Sequence, residues 1–491
     1  MKTKTNQMKK IVTLLVIITI CHVSFSQEKI GLFKNDLAKN SSAIKDVVPI
    51  VNQKNDEISL FFIDTKNVYG YLLDTNFNVI DKLSAEDKNK KYKLVIGSSI
   101  SDSNDYRIFL SDNKNKSFAT VNLSYNAKEA TIKEFTLKSS KEEFIQTINH
   151  NNQFYLLSVL KGTSLLGLYT FDDDGNPKLH GLDFNRDKFF DIDGQEETLY
   201  DLFNSEFSKP EDITKIDKDN PNSIEVTSAF TKLYVRGNKV TITFDENKDF
   251  TQVISFDLLT FEKEVKKFPK PLESIKANKK KSNSFIYGKN IFMLSASDQI
   301  AIFNINDFDS GAFIKEYIAE EEDSISFKNS PIIQDGGMYD RYREMEKTKK
   351  FLRKITAAEV GISIYKNDNI YQITLGGRLE IKASGGGMMM PGMPGITMAS
   401  FGAVSTYFNP SFFAYNAYAH SKSTFIECLF DENFEHINGE PKENVFDKIK
   451  EFKEPASTVQ SAHTLFKYKD YFVVGNLVRI SNEYWLRKFE D

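Results

Sequence analysis

"LLDTNFNVI" at Leu72–Ile80 and "LFDENFEHI" at Leu429–Ile437 decide how this chain is read. Each is an apolar run, then an Asp/Asn turn, then the start of a second apolar run. "TFDDDGNPK" at Thr170–Lys178 is a looser copy, and "FDEN" at Phe244–Asn247 repeats the tetrapeptide at Phe430–Asn433. Asp and Asn suit such turns because their side chains bond the local backbone and tolerate left-handed angles. A hairpin signal that recurs far apart in one chain points to a repeated β architecture.

Working outward, the flanking runs are short and rich in Phe, Tyr, Ile and Val: "EISLFFIDT", "DYRIFLSD", "QFYLLSVL", "KVTITFDE", "NIFMLSAS" and "DYFVVGNLVRIS". They fit half-buried strands joined by hairpins. Grouped around the turns they form units near 44–82, 92–136, 142–183, 225–268, 282–318 and 356–440. A seventh unit combines 459–491 with an N-terminal strand near 28–40. Units of this size with four strands each predict an all-β fold, a β-propeller of seven blades, with six and eight as alternatives. Pairing the two termini in one blade would leave no open edge. Consecutive β-sandwich domains are the rival architecture. The pattern resembles secreted β-propeller proteins of Bacteroidetes-type bacteria. That resemblance is one of architecture, without a WD dipeptide or a kelch double glycine.

Residues 1–26 read as a secretory signal peptide: Lys2, Lys4, Lys9 and Lys10, an apolar run over Ile11–Ile20, then Ser24 and Ser26 before Gln27. Ile20 is large for the position before a lipidated cysteine, which argues against Cys21 as a lipid anchor. An exported chain of periplasmic, cell-surface or secreted destination is expected, with 27–491 as a single propeller domain and no transmembrane segment. The net charge of −4 becomes −8 without the four leader lysines, which disfavours nucleic acid as a partner. Cys428 is then the one remaining thiol and has no internal disulfide partner. Its alternating context predicts a buried strand position.

Insertions are expected near 184–222, 333–355 and 384–423, with three short amphipathic helices. "QEETLYDLFNSEF" would open on a capping pair of Asp193 and Glu196. "MYDRYREMEKTKKFLRKI" would set Met338, Tyr342, Met345 and Leu352 on one face, and "ENVFDKIKEFKEP" would do the same with Val445, Ile449 and Phe452.

The third insertion carries the outlying composition. "SGGGMMMPGMPGITMASFGA", Ser384–Ala403, holds five of the chain's ten methionines: Met388, Met389, Met390, Met393 and Met398. Its glycines and prolines exclude a regular helix or strand over Gly385–Gly395. Three readings apply: a Gly-rich connection without chemistry, an adaptable apolar patch for a partner, and a Cu(I) site built on thioether sulfur. The aromatic stretch that follows, with Tyr407, Phe408, Phe412, Phe413, Tyr415 and Tyr418, is either core or a stacking surface for a glycan or peptide. "FDDDGNPK" and "FFDIDGQEE" fail the EF-hand pattern and read as a hairpin turn and a helix cap. G-x-S-x-G, H-E-x-x-H and Walker motifs are absent. These readings lead to a non-enzymatic binding protein with a protein or glycan partner, using long loops on one propeller face. The alternatives are a glycan or peptide hydrolase with carboxylates at the central channel, and a copper-handling protein.

Overall fold

The computed structural model describes residues 27–38, 43–44, 46–272, 280–336, 342–378, 409–419, 422–452 and 460–491. The segment 1–26 and the methionines at 388–398, with Tyr407 and Phe408, lie outside the described residues.

Asp74 shows how the repeated turn works. Its Oδ1 accepts the backbone N–H groups of Asn76 and Asn78 at 2.9 and 2.8 Å. Phe77 then takes a left-handed φ of 63°. Asp431 does the same with Asn433 and Glu435 at 2.9 and 2.8 Å, and Phe434 has φ 60°. Left-handed backbone costs a non-glycine residue roughly 1–2 kcal/mol. Burial of the ring offsets it: Phe77 meets Tyr468 of another sheet edge-on at 5.1 Å, and Phe434 meets Phe292 at 5.5 Å. The turn is thus also a bolt between sheets. "FDEN" at 244–247 is different: Asp245 is buried and ion-paired with Lys232 at 2.7 Å.

The strands form seven sheets of four or five strands and one two-stranded hairpin among the described residues. Sheet I runs Asp46–Val51, Ile58–Ile63, Val68–Leu73 and Val79–Ala85 in chain order. Sheet II spans Leu94–Ile100 to Glu129–Phe135, and sheet III spans Glu142–His150 to Pro177–Asp183, each as a four-stranded meander. Sheet IV adds Thr214–Ile216, parallel to Thr231–Arg236, as an extra inner strand to a meander ending at Lys263–Pro269. Sheet V runs from Lys281–Tyr287 to Phe313–Glu320. Sheet VI is ordered Arg343–Met345, Ile332–Asp335, Ser423–Phe430, Ile370–Arg378, Glu359–Asn367. Sheet VII pairs the N-terminal strand Gln27–Lys34 with Glu483–Phe489, followed by Tyr471–Val478 and Gln460–Tyr468.

Shared apolar cores run in one cycle. Sheets VII and I share a core, as do I and II, II and III, and III and IV. Sheets IV, V and VI share another. Helices α4 (Pro410–Ala419) and α5 (Val445–Glu451) close the cycle by packing Phe412, Val445, Phe446 and Ile449 on Leu465, Phe472 and Phe489 of sheet VII. Sandwiches in series would pair their sheets two by two. This cycle of sheets, with termini paired in one of them, is a β-propeller.

The helices differ in part from expectation. Helix α1 (Leu199–Leu202) is capped by Thr198 in a capping box with Asp201. Asp193 and Glu196 instead belong to the hairpin Phe189–Phe190/Glu196–Glu197, where Asp191 Oδ1 accepts from Asp193 and Gln195 and Gly194 has φ 83°. "FDIDGQ" is therefore the repeated turn, not a helix cap. Helix α2 is Ile224–Thr227. In the second segment Arg343–Met345 is a strand and helix α3 covers Thr348–Thr356, so Met345 and Leu352 are both buried but on different elements. The insertion at 333–355 thus supplies strand to sheet VI. Helix α5 matches its expected face, and Phe452 packs on Phe489 with ring centres 5.7 Å apart.

Candidate binding site in the central channel

A cavity of about 560 Å3 opens where the innermost strands end. Sheet I contributes Pro49–Val51 and Gln53, sheet II Ser98–Ile100, sheet III Thr147–Gln153, sheet IV Lys215 and Ile216 with the Asp217–Asp219 exit, and sheet VII Phe466 and Lys467. Asn409 and Pro410, at the start of α4, complete the wall.

Inner strands of a propeller bury both faces, so polar side chains on them need a reason. Thr147 donates its hydroxyl to the Ile96 carbonyl at 2.6 Å and accepts from Lys215 Nζ at 2.9 Å. Asn149 Oδ1 accepts the Ser98 N–H at 2.9 Å, joining sheets II and III. Asn152 reaches sheet I: its Nδ2 donates to Asn52 Oδ1 at 3.1 Å and its Oδ1 accepts from Gln53 N at 3.3 Å. Asn151 and Asn152 hold left-handed φ values of 49° and 61°, which Asn tolerates. Asn409 caps α4, accepting from Phe412 N at 3.0 Å, while its Nδ2 donates to the Leu465 carbonyl at 2.7 Å. Ser99 is buried, and its Oγ has no partner among the described residues.

The ionisable groups of the wall are muted. Burial pushes the Lys215 amine down to about 7. Burial likewise pushes the Asp217 carboxyl up, against the Asp219 N–H that it accepts at 3.0 Å. Asp219 is paired with Lys218 at 2.7 Å and lies 3.8 Å from Lys467. The channel therefore presents amides and hydroxyls among apolar side chains such as Ile50, Ile148, Leu233 and Phe466. Its two carboxylates leave one strand end side by side rather than converging from separate sheets.

The residues singled out from the sequence lie elsewhere. Phe412 is 6% exposed and packs against Phe446 and Leu465. Tyr415 and Tyr418 meet Phe446 edge-on at 5.4 and 5.7 Å, and Phe413 packs on the core shared by sheets IV to VI. These four side chains pack α4 against its neighbours. Cys428 is fully buried, and burial raises its thiol well above the usual range. Among the described residues no group of three or more His, Cys, Asp or Glu side chains is arranged to hold a metal ion, and no helix is long and apolar enough to cross a membrane. The channel residues escaped the sequence reading, although "IGSSI" and "NHNNQ", polar clusters at the ends of apolar strands, carry a signal for them.

The chain is similar to the Dos1 propeller at 10% identity over 95% of each chain, with a TM-score of 0.33. A prolyl endopeptidase structure is similar at 9% identity over 90% of this chain and 48% of that one, TM-score 0.32. TolB from Acinetobacter baumannii is similar at 14% identity over 54% and 53%, TM-score 0.23. No family model matches the chain, and no curated protein matches it.

Proposed function

We propose that this protein is an exported, non-enzymatic binding protein, a ring of seven blades that takes a peptide or glycan segment into its central channel. The observation that supports this best is the lining. A cavity of about 560 Å3 is walled by apolar side chains such as Ile50, Ile148, Leu233 and Phe466, interleaved with the hydroxyls and amides of Ser98, Ser99, Thr147, Asn149 and Asn152. A cavity of that size with a few placed polar groups suits a small ligand segment. Peptide main chains and glycan hydroxyls both bond to side-chain amides without net charge. The signal-type segment 1–26 supports export.

Screening the full chain on peptide and glycan arrays tests this reading, with Ser99→Phe as the control that fills the channel. Binding that the substitution removes, in a variant of unchanged melting temperature, is the expected result. Binding that survives it moves the interface away from the channel.

A further inference from the structure

Sheet VI has two unlike faces. Ile362, Ile364, Ile373, Leu375, Ile426 and Cys428 are buried in the core shared with sheets IV and V. Strand alternation sends Ser363, Gln372, Thr374 and Glu427 to the other face. Ser363, Thr374 and Glu427 stand opposite one another across three strands. Helix α2 packs on this face, and residues of α4 and α5 stand over it. A second cavity of about 300 Å3 remains between them.

The cavity is built with care for close approach. Gly361 lets the backbone around α2 lie on the sheet, since a Cβ there would stand 3.0 Å from Ser228 N and 3.2 Å from the Ile224 carbonyl. The Ser363 hydroxyl donates to the Asn222 carbonyl and fixes that segment. Asn222 is 4% exposed; its Nδ2 donates to the Asp217 and Asn220 carbonyls at 2.9 and 3.0 Å, but its Oδ1 has no partner among the described residues. A buried acceptor left alone is unfavourable, so a donor from a ligand has a place to go.

Charge points the same way. Asp335, Glu427, Glu443, Asp447 and Glu451 line the cavity against Lys442 and Lys450, and Lys442 lies 3.7 Å from Asp368. Glu427 accepts from Gln372 Nε2 at 3.1 Å. Burial, and then the Asp447 carboxylate, hold the Glu427 carboxyl above its ordinary range despite that bond. Asp447 is itself fixed, accepting from Tyr418 OH at 2.6 Å and from Asn444 N at 3.0 Å. Two carboxylates and an unmet acceptor thus belong to the wall of one cavity.

We propose that this cavity binds a small organic cation, an alkylammonium or guanidinium group, with Glu427 and Asp447 as its charge partners and Asn222 Oδ1 as a further acceptor. The cation supplies the missing donor and relieves the repulsion between the two carboxylates. Such a group comes either from a free amine or from the lysine or arginine side chain of a peptide.

Isothermal titration of the full chain tests it, using butylammonium, butylguanidinium, the neutral alcohol pentanol, and the capped tripeptide acetyl-Gly-Lys-Gly-amide. The cations bind and pentanol does not. Glu427→Gln weakens cation binding roughly tenfold, the scale of one charge-assisted hydrogen bond. Lys450→Gln, an exposed position on α5, tightens it and keeps the test open should Glu427→Gln fail to fold. Because the cation needs the ionised carboxylate, affinity at about pH 5 is lower than at about pH 7.5. Tighter binding of butylammonium assigns a free amine, and tighter binding of the tripeptide assigns a lysine side chain; both support the site. Equal binding of pentanol, no heat from either cation at tens of millimolar, or affinities unmoved by both substitutions overturns it.

Discussion

Replacing Asp245 by Asn removes one charge from an ion pair whose two side chains are fully enclosed. Lys232 spends all three ammonium donors there: on Asp245 Oδ2 at 2.7 Å, Asn283 Oδ1 at 2.6 Å and the Ala229 carbonyl at 2.7 Å. Asp245 accepts in addition from Thr251 Oγ1 at 2.6 Å and Ser284 Oγ at 3.0 Å. Lys270 lies close, donating to the Asp245 carbonyl at 2.7 Å, and burial pushes its amine down to about 8. The cluster ties sheet IV to sheet V, since Asn283 and Ser284 belong to the latter. Breaking an enclosed pair from one side leaves an uncompensated charge, so Asp245→Asn destabilises by about 3–5 kcal/mol in urea unfolding. Burial already lowers the Lys232 amine, opposed by Asp245, and losing the carboxylate lowers it further. A lysine with a depressed folded pKa lets the unfolded chain bind more protons, so stability rises with pH between its folded and unfolded values. The gap between variant and parent therefore narrows as pH is raised from about 7 towards about 10, where the unfolded lysine titrates. The paired change Lys232→Met with Asp245→Leu costs less than Asp245→Asn alone, because no bare charge remains. A single substitution costing under about 1 kcal/mol, the range of exposed pairs, would refute the claim that the pair is dry and obligatory. A gap that does not narrow with pH would refute the role given to Lys232.

Gly97 faces the next sheet without a side chain: a Cβ there would fall 2.1 Å from the Phe154 ring, which stacks on Phe109 at 3.9 Å. Gly97→Ala forces that stack apart and costs about 1–3 kcal/mol, read from the urea midpoint; an unchanged midpoint would show that Phe154 has room to turn. Native protein at pH 8 gives no titre of Cys428 with a disulfide reagent, and unfolded protein gives the full titre, because burial both covers the thiol and disfavours the thiolate. Fast labelling of folded protein would contradict that placement.

How far the sequence could be read depended on the range of the forces involved. The turn at Asp74–Asn78 was legible because its hydrogen bonds close within five residues, and the same holds for Asp431 and Asp172. Closure by the termini was legible too, since two strands left over at opposite ends have an edge to hide. The strands Ile332–Asp335 and Arg343–Met345 were not. They are short, the second sits in a stretch with helical spacing, and they exist because Ser423–Phe430 offers an edge to the first, which in turn offers one to the second. The tetrapeptide "FDEN" marks the same limit. At 430–433 its aspartate serves the backbone two and four residues on, while at 244–247 it serves Lys232 and Ser284. Local sequence is identical in both places, so the difference comes from what a distant strand brings to it. The two cavities follow that rule. Channel and cation site are each assembled from ends and faces of several sheets, and no window along the chain contains more than a corner of either. What local sequence does retain is a polar residue where an enclosed strand should be apolar, as at Ser98, Thr147, Thr374 and Glu427, and such residues mark a wall before the fold shows what stands opposite.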